Sequence, residues 1–406
     1  MKYLYGKNNI LIYSVALLPL LSLKMVSVSI ILFVLGACLG YEKHKVGASE
    51  VKLILVFSTL FFLYIISLIW TDDFAVGLKQ IEKKMSFLIF PTTLFLLKPF
   101  KSFRNINTFI KVYLISCAIS SCIILLYIGF NLNEILQSNS NYVFSIKLRQ
   151  AINSAPFIGE HPIYFSLLLA VSVLLLIYNR FSGWAINALL FSIYGTTLLI
   201  ASSRGVILGL FVVMILIVFQ NIKSRNKRYA VLTLLFIMCF SSYLLPPIKA
   251  RVNEIIFTKH LFPKGLHYNS FNLRMGIYSC SFDIIKDAPI YGYGPADVQD
   301  RLDACYETKF ETPAYAQQIY NTHNQYLDYL ASFGILGFVL IICCFAYFIK
   351  ISLGAKTNMY FNFLILFFLV LLTENLLSRN TGIVLFAAFN SLLAFTILYK
   401  SKFLNT

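Results

Sequence analysis

Apolar stretches of nearly membrane-spanning length recur along the whole chain. A helix needs about 20 apolar residues to cross the hydrocarbon core of a bilayer, and such segments alternate with short charged or Gly-, Pro- and Asn-rich breaks from end to end. Only 13% of the 406 residues are charged, against about 25% in a typical soluble domain. The repetition excludes a single signal peptide or anchor. The sequence therefore predicts an all-α polytopic membrane protein.

The apolar windows predict about twelve transmembrane helices, of which the second and fourth are short for a bilayer. Because an even number of spans returns the chain to the side where it began, both termini are expected on one side. The predicted organisation is nine helices in residues 1–246, a large loop over 247–322, and three helices in 323–406. The twelve windows are 9–23, 25–40, 52–70, 86–98, 107–130, 162–179, 184–201, 205–221, 229–246, 324–349, 358–374 and 381–399.

The distribution of lysine and arginine predicts that the termini are cytoplasmic. With that orientation the cytoplasmic segments contain 18 of the 34 basic residues, including the cluster at 223–228. Eight others lie in the long loop, which is too long to count in the positive-inside comparison, and eight in short outer segments. Topology thereby explains the net charge of +17. We expect membrane lipids, and no nucleic acid, as partners of these residues.

The loop at 247–322 is rich in charged residues and tyrosine, unlike the rest of the chain. Residues 273–287 predict an amphipathic helix within it, with Ile277, Ser281 and Ile284 on one face. A loop that contains its own amphipathic helix is expected to be ordered.

Two of the eight cysteines, Cys280 and Cys305, share this loop. A disulfide between them is one possibility in a periplasm, and the sequence leaves their pairing open. The chain contains no CxxC, no HExxH and no carboxylate cluster at metal-ligand spacing. It also lacks a phosphate-binding P-loop and a dinucleotide fingerprint. We therefore expect neither a metal nor another cofactor.

Arg204 is the first candidate for contact with an anionic substrate. It lies in Ser202-Ser203-Arg204-Gly205, at the outer start of the predicted eighth helix. Either serine can cap that helix, whose first amides favour an anion. The planar guanidinium offers the paired hydrogen bonds that a phosphate accepts. The alternative is an arginine that only marks a helix end at the membrane interface.

Arg274, at the start of the predicted loop helix, is a second candidate. Taken alone, it is explained by a salt bridge with Asp283 or Asp287. It joins Arg204 in one anion site only if the loop folds back over the start of the eighth helix.

His323 opens the predicted tenth helix at the outer face. Histidine titrates near neutral pH, so it can take a proton from a hydroxyl group. The alternative is an interfacial histidine that solvates a helix end. His161, at the outer start of the sixth helix, is a weaker candidate for substrate contact, because capping alone explains the Pro162 that follows it.

The residues from His323 onward form a spaced motif, in which His323-Asn324 is followed by nine residues, Gly334, two residues and Gly337. This motif resembles the signature of the bacterial O-antigen ligase family and of the related repeat-unit polymerases of surface polysaccharides. The resemblance covers about 160–380. Two further segments resemble features of the family. One is Ser202-Ser203-Arg204-Gly205, and the other is Arg274 followed by Asp287-Ala-Pro289-Ile-Tyr-Gly292-Tyr-Gly294.

The resemblance implies a metal-independent, inverting glycosyltransferase of the C type, in the bacterial inner membrane with its active site in the periplasm. It implies an undecaprenyl-pyrophosphate-linked glycan as donor and lipid A–core as acceptor. By position, Arg204 and Arg274 would bind the pyrophosphate and His323 would be the catalytic base for the acceptor hydroxyl. Further candidates are Asn324 and Tyr293 for substrate contact, and Gly334 and Gly337 for the close approach of a neighbouring helix.

Three other functions stay open. A repeat-unit polymerase of O-antigen, capsule or exopolysaccharide uses the same donor with a second lipid-linked unit as acceptor, and protein O-oligosaccharyltransferases resemble both. A flippase or transporter would place polar groups at the bilayer midplane. Here the middle of the predicted spans is nearly free of charge, and charge gathers at their outer ends. The sequence therefore favours an enzyme and leaves the sugar, the acceptor and the oligomeric state open.

Overall fold

The computed structural model describes residues 9–399, except 44, 139, 245, 259 and 356. Over these residues the protein is helical and contains no β-strand, which confirms the predicted class. The predicted cytoplasmic termini, 1–8 and 400–406, lie outside the described residues. The α-helices are α1 (Leu23–Leu39), α2 (Ala48–Phe57), α3 (Thr59–Ser67), α4 (Phe74–Lys84), α5 (Ser86–Thr92), α6 (Phe103–Phe130), α7 (Leu132–Leu136), α8 (Asn141–Ser154), α9 (Pro162–Tyr178), α10 (Trp184–Ala201), α11 (Arg204–Asn221), α12 (Arg225–Ser242), α13 (Pro246–Ile256), α14 (Ser270–Asp287), α15 (Val298–Lys309), α16 (Ala314–Gln317), α17 (Gln325–Leu353), α18 (Met359–Leu371) and α19 (Asn380–Leu398).

Shorter helical segments of other types complete this part of the chain. They are 3-10 helices at Ile10–Leu20 and Leu376–Ser378, and a π-helix at Thr93–Leu97. Each of the twelve predicted apolar windows falls on helical structure, but the helices differ widely in length.

Five helices in the described part of the chain are long and apolar enough to cross a bilayer: α6, α10, α11, α17 and α19. There are six if α2 and α3, which are bent by 58° relative to one another, form one span. The predicted window 86–98 falls short because Pro91 and a π-helix shorten it to two brief segments. In α12 three basic residues occupy the first turn. A count of twelve spans stays a prediction.

The helices α9 and α19 form the centre of the bundle. All residues of α9 from Tyr164 to Leu176 are buried, and 83% of the apolar window of α19 is buried. A helix that is apolar on all sides lies either in a protein core or in lipid, and the burial of α9 and α19 shows that other helices surround them. At the ends of these two helices, the Glu160 carboxylate accepts a hydrogen bond of 2.5 Å from Thr381 Oγ1.

The helices α13–α16 and their connecting loops, which we call the outer segment, lie at one end of the bundle, the outer end. The predicted loop helix is confirmed as α14, which begins three residues earlier than expected because Asn269 caps its first amides. Its predicted face is buried, with Ile277, Ser281 and Ile284 at most 5% exposed. A disulfide between α14 and α15 joins the two cysteines whose pairing the sequence left open.

The loop that follows α14 docks into a break in α17 at Gly334. The backbone of Gly334 is left-handed (φ +59°), and a Cβ there would lie 2.2 Å from the carbonyl oxygen of Ile290. Tyr293 N donates to Ala331 O over 2.9 Å at the same junction. The neighbour that approaches Gly334 is therefore a loop backbone and not the helix that we expected. At Gly337 the closest atoms are those of Phe333 on the same helix, followed by Leu63 of α3.

Candidate active site

A cavity of about 390 Å³ lies at the outer end, where the starts of α9, α11 and α14 meet the segment before α17 and the turn after α18. It brings together four of the predicted site residues, His161, Arg204, Arg274 and His323. The other lining residues are Arg149, Ile163, Ser202, Ser203, Gly205, Tyr268, Asn269, Ser270, Leu273, Ile277, Tyr320 and Glu374. The outer segment thus folds back over the start of α11, which is the condition for Arg204 and Arg274 to share a site.

The start of α11 presents polar groups to this cavity. Arg204 is its first residue, and Arg204 Nη2 donates to Ser270 Oγ over 2.8 Å, which links α11 to α14. We expected a serine to cap α11, but Ser203, the N-cap residue, makes no side-chain cap bond. The adjacent Ser202 has a left-handed backbone (φ +45°), and its buried hydroxyl has no hydrogen-bond partner among the described residues. The first amides of α11 and this hydroxyl are therefore available to a ligand.

The turn after α18 packs closely against α11. A Cβ on Gly205 would lie 2.1 Å from Thr373 Oγ1, so only glycine allows this approach. The next residue is Glu374, whose carboxylate lines the cavity.

The carboxylate of Glu374 contacts two of the predicted site residues, Arg274 and His323. Its Oε1 lies 2.5 Å from Arg274 Nη2, and its Oε2 lies 3.3 Å from His323 Nδ1. Burial opposes ionisation of this carboxyl, but the hydrogen bond with His323 and the charge of Arg274 outweigh burial and hold the pKa of Glu374 below its ordinary value. Arg274 therefore pairs with neither of the aspartates that we considered, and Asp283 instead contacts Lys309.

The backbone of His323 is held in an unusual conformation. Its φ is +44°, a left-handed value that is costly for a residue with a Cβ, and Asn321 Oδ1 accepts its N–H over 3.0 Å. Asn324 caps α17 by accepting from the amides of Tyr326 and Leu327. When His323 Nδ1–H donates to Glu374, Nε2 is left with a lone pair that can accept a proton.

Buried hydrogen bonds fix the turn that contains Glu374. Asn375 Nδ2 donates to Thr322 Oγ1 over 2.8 Å, and Leu377 N donates to Gln325 Oε1 over 2.8 Å. The ammonium group of Lys84 donates to the carbonyl oxygen of Leu377. These bonds tie the turn to both sides of His323, so the carboxylate and the imidazole are held in place before a substrate arrives.

Two predicted substrate contacts lie outside the cavity. Asn324 is occupied as the helix cap described above. Tyr293 packs under the guanidinium of Arg301, which lies 5.0 Å from the ring centroid. Tyr293 also lies in the loop that docks onto α17, where its N–H donates to Ala331 O.

Residues 186–342 match the family model described as O-antigen ligase. Over these residues the chain is similar to the O-antigen ligase family. No curated protein matches the chain. The matched range of the O-antigen ligase family contains Arg204, Arg274 and His323, and it ends before Glu374. This similarity indicates a glycosyltransferase-like membrane enzyme of the ligase or polymerase type.

Sequence reasoning missed Glu374 and Arg149. Glu374 is an isolated carboxylate at the end of the apolar window 358–374, and an ionisable group in that position is a signal that could have identified it. Arg149 lies on α8, and its Nη1 donates to Ala201 O at the end of α10 over 2.7 Å. No pattern around Arg149 indicated that it would reach the same cavity.

Proposed function

We propose that this protein transfers an undecaprenyl-pyrophosphate-linked O-antigen polysaccharide to lipid A–core at the periplasmic face of the bacterial inner membrane. The observation that carries the proposal is the excess of cationic groups in the cavity. Arg149, Arg204 and Arg274 line it, with Glu374 as the only carboxylate among the described lining residues. Such a cavity favours a ligand with several negative charges.

The pyrophosphate of the donor binds at the start of α11. Arg204 and Arg274 offer planar guanidinium groups, and the free amides of α11 and the hydroxyl of Ser202 supply neutral donors. When the bond between the anomeric carbon and the pyrophosphate oxygen breaks, negative charge grows on that oxygen. The fixed donors stabilise this charge, which is the role that a divalent metal has in other glycosyltransferases.

His323 acts as the base. Its Nε2 accepts the proton of the acceptor hydroxyl while the hydroxyl oxygen forms a bond to the anomeric carbon on the face opposite the pyrophosphate. The configuration at that carbon is inverted, and undecaprenyl pyrophosphate leaves with the bonding electron pair. Glu374 stabilises the imidazolium that forms, because its carboxylate lies beside Nδ1.

The proposed function is tested with the purified protein in lipid nanodiscs. Lipid-linked repeat units together with rough lipopolysaccharide should yield capped lipopolysaccharide and free undecaprenyl pyrophosphate, and EDTA should leave the rate unchanged. Lipid-linked repeat units alone should not be lengthened. Chain lengthening without rough lipopolysaccharide would assign a polymerase, and loss of transfer in EDTA would contradict the metal-independent mechanism.

The proposed orientation has its own test. Single cysteines near 225 and 265, introduced into a variant with no other free cysteine, should differ in labelling from the cell exterior. Labelling near 265 but not near 225 is expected. The opposite result would place the cavity on the cytoplasmic side.

A further inference from the structure

His161 lines the same cavity as His323, but the two imidazoles have different hydrogen-bond partners. His161 is the N-cap residue of α9, and its Nδ1 accepts the backbone N–H of Ile163 over 3.3 Å. An acceptor nitrogen cannot carry a proton, so in the neutral ring the hydrogen is on Nε2. His323 has the opposite arrangement, because its Nδ1 faces a carboxylate.

Cationic groups surround the imidazole of His161. Burial contributes most to lowering its pKa, the charges of Arg379 and Arg149 and the proximity of His323 lower it further, and Glu374 opposes them, with a resulting pKa of about 4. The nearby Glu160 carboxylate does not face the ring, since its oxygens accept from the backbone N–H of His161 and from Thr381. Tyr164 contacts the ring edge-on, with centroids 6.1 Å apart.

These contacts exclude the charged form of His161 near neutral pH. Protonation of Nδ1 would set two N–H groups against each other at the start of α9 and would add a cation beside two arginines. Within the described part of the chain, Nε2 makes no hydrogen bond to a protein group. The ring thus offers the cavity one oriented, uncharged donor.

We propose that His161 is a substrate-contacting residue that donates Nε2–H to a sugar hydroxyl oxygen of the donor, next to the bond that is broken. This deepens the proposed function and rests on it. The guanidinium groups already match the charge of the pyrophosphate, and an uncharged donor suits an uncharged oxygen. His161 therefore orients the sugar while His323 takes the proton, so the two histidines are not interchangeable.

Two substitutions separate the donor from the helix cap. In His161→Asn the side-chain oxygen reaches the position of Nδ1 and still caps α9, but no group reaches the position of Nε2. In His161→Gln the amide nitrogen reaches the position of Nε2, and the cap is weakened. We expect kcat/KM for the lipid-linked donor to fall about tenfold in His161→Asn, the effect of one lost hydrogen bond, and to recover at least fivefold in His161→Gln.

The opposite order, with His161→Asn active and His161→Gln defective, would reduce His161 to a cap and overturn the inference. Ser102→Ala is the matched control, because Ser102 caps the apolar helix α6 through the amide of Asn105 and does not line the cavity. It should leave transfer unchanged. If the wild-type protein transfers no glycan under any condition, the proposed function has failed, and this comparison of rates no longer bears on His161.

A spectroscopic measurement tests the protonation state without any turnover. The full-length protein in nanodiscs, labelled with ¹⁵N-histidine, contains 5 histidines, and His161→Asn identifies the signals of His161. Between pH 5.5 and 8 these should be those of the neutral ring with the proton on Nε2. A proton on Nδ1, or an imidazolium at pH 6, would overturn the inference even if the transferase activity is present.

Discussion

Two carboxylates at opposite ends of α19 are bridged in similar ways, but their surroundings differ in charge. Near the end of α19, Glu50 accepts from Lys98 Nζ over 3.0 Å, from the Tyr399 hydroxyl over 3.2 Å and from the amide of Gly47 over 3.1 Å. Near its start, Glu374 contacts Arg274 and His323. The side chains of Glu50 and Glu374 are similarly exposed to solvent, at 15% and 12%.

The two carboxylates differ in the number of cationic side chains around them. At Glu50 a single ammonium group balances a single carboxylate, and that ammonium also packs over the ring of Tyr399. At Glu374 the carboxylate contacts Arg274 and His323, and two further arginines, Arg149 and Arg204, line the same cavity. A bridged carboxylate at a helix end therefore indicates a functional site only where it lines a cavity together with several cationic side chains.

The largest expected effect concerns the base. His323→Ala should lower the transfer rate by about 10²–10⁴, while the donor still binds because the arginines remain. Transfer and binding of the lipid-linked donor are measured on the same purified protein. His267→Ala, which removes an exposed imidazole of the outer segment, should retain full activity. Equal losses of binding and rate would make His323 a structural residue.

The arginines come next. Arg204→Lys and Arg274→Lys keep the charge but lose the planar fork, so each should lower kcat/KM for the donor by roughly 10- to 100-fold. Arg301→Lys is the matched control, because Arg301 lies in the outer segment but does not line the cavity. If Arg204→Lys is fully active at normal abundance, Arg204 only marks the start of a helix.

Glu374→Gln should separate binding from chemistry. Removal of the carboxylate leaves Arg274 free to attract the pyrophosphate, so donor binding should not weaken, whereas kcat should fall about tenfold because the imidazolium loses its counter-charge. Both constants follow from initial rates at varied donor concentration. Weaker donor binding with unchanged kcat would contradict the role given to Glu374.

The lowered pKa of Glu374 also predicts how stability depends on pH. A carboxyl whose folded-state pKa lies below its unfolded value of about 4.3 stabilises the fold above that value. The contribution is lost as the pH falls through the folded-state pKa. The difference in thermal unfolding midpoint between wild type and Glu374→Gln should be full at pH 7 and should shrink below about pH 4. A difference that grows on acidification would contradict the assigned direction.

Glu50→Gln should have the smallest effect on transfer. The amide keeps part of the hydrogen bonding, so we expect a loss of about 1 kcal/mol in stability with an unchanged rate per folded molecule. Thermal unfolding and initial rates of the purified variant measure the two quantities. A tenfold loss of rate would erase the distinction between the two carboxylates.

The sequence predicted much of the site because its motifs encode local structure. Arg204 follows a break between apolar windows, Arg274 begins an amphipathic helix, and His323 precedes a helix start. Each of these signals lies within a few residues of the side chain that it identified. Glu374 and Arg149 were missed, since the contacts that make them part of the site join segments far apart in the chain.

The sequence by itself determined that the chain is a bundle of apolar helices with a separate polar segment, because burial in a membrane or a helical core depends on composition and periodicity alone. It also determined the similarity of residues 186–342 to the O-antigen ligase family. Only the tertiary structure decided that the loop at Gly334 closes the outer segment over α11, and that Glu374 joins Arg274 to His323. It also decided that Nδ1 of His161 meets a backbone N–H, whereas Nδ1 of His323 meets a carboxylate. These features depend on which groups meet across the fold, and the hydrogen-bond partner of an imidazole, not its position in the chain, sets where its proton lies.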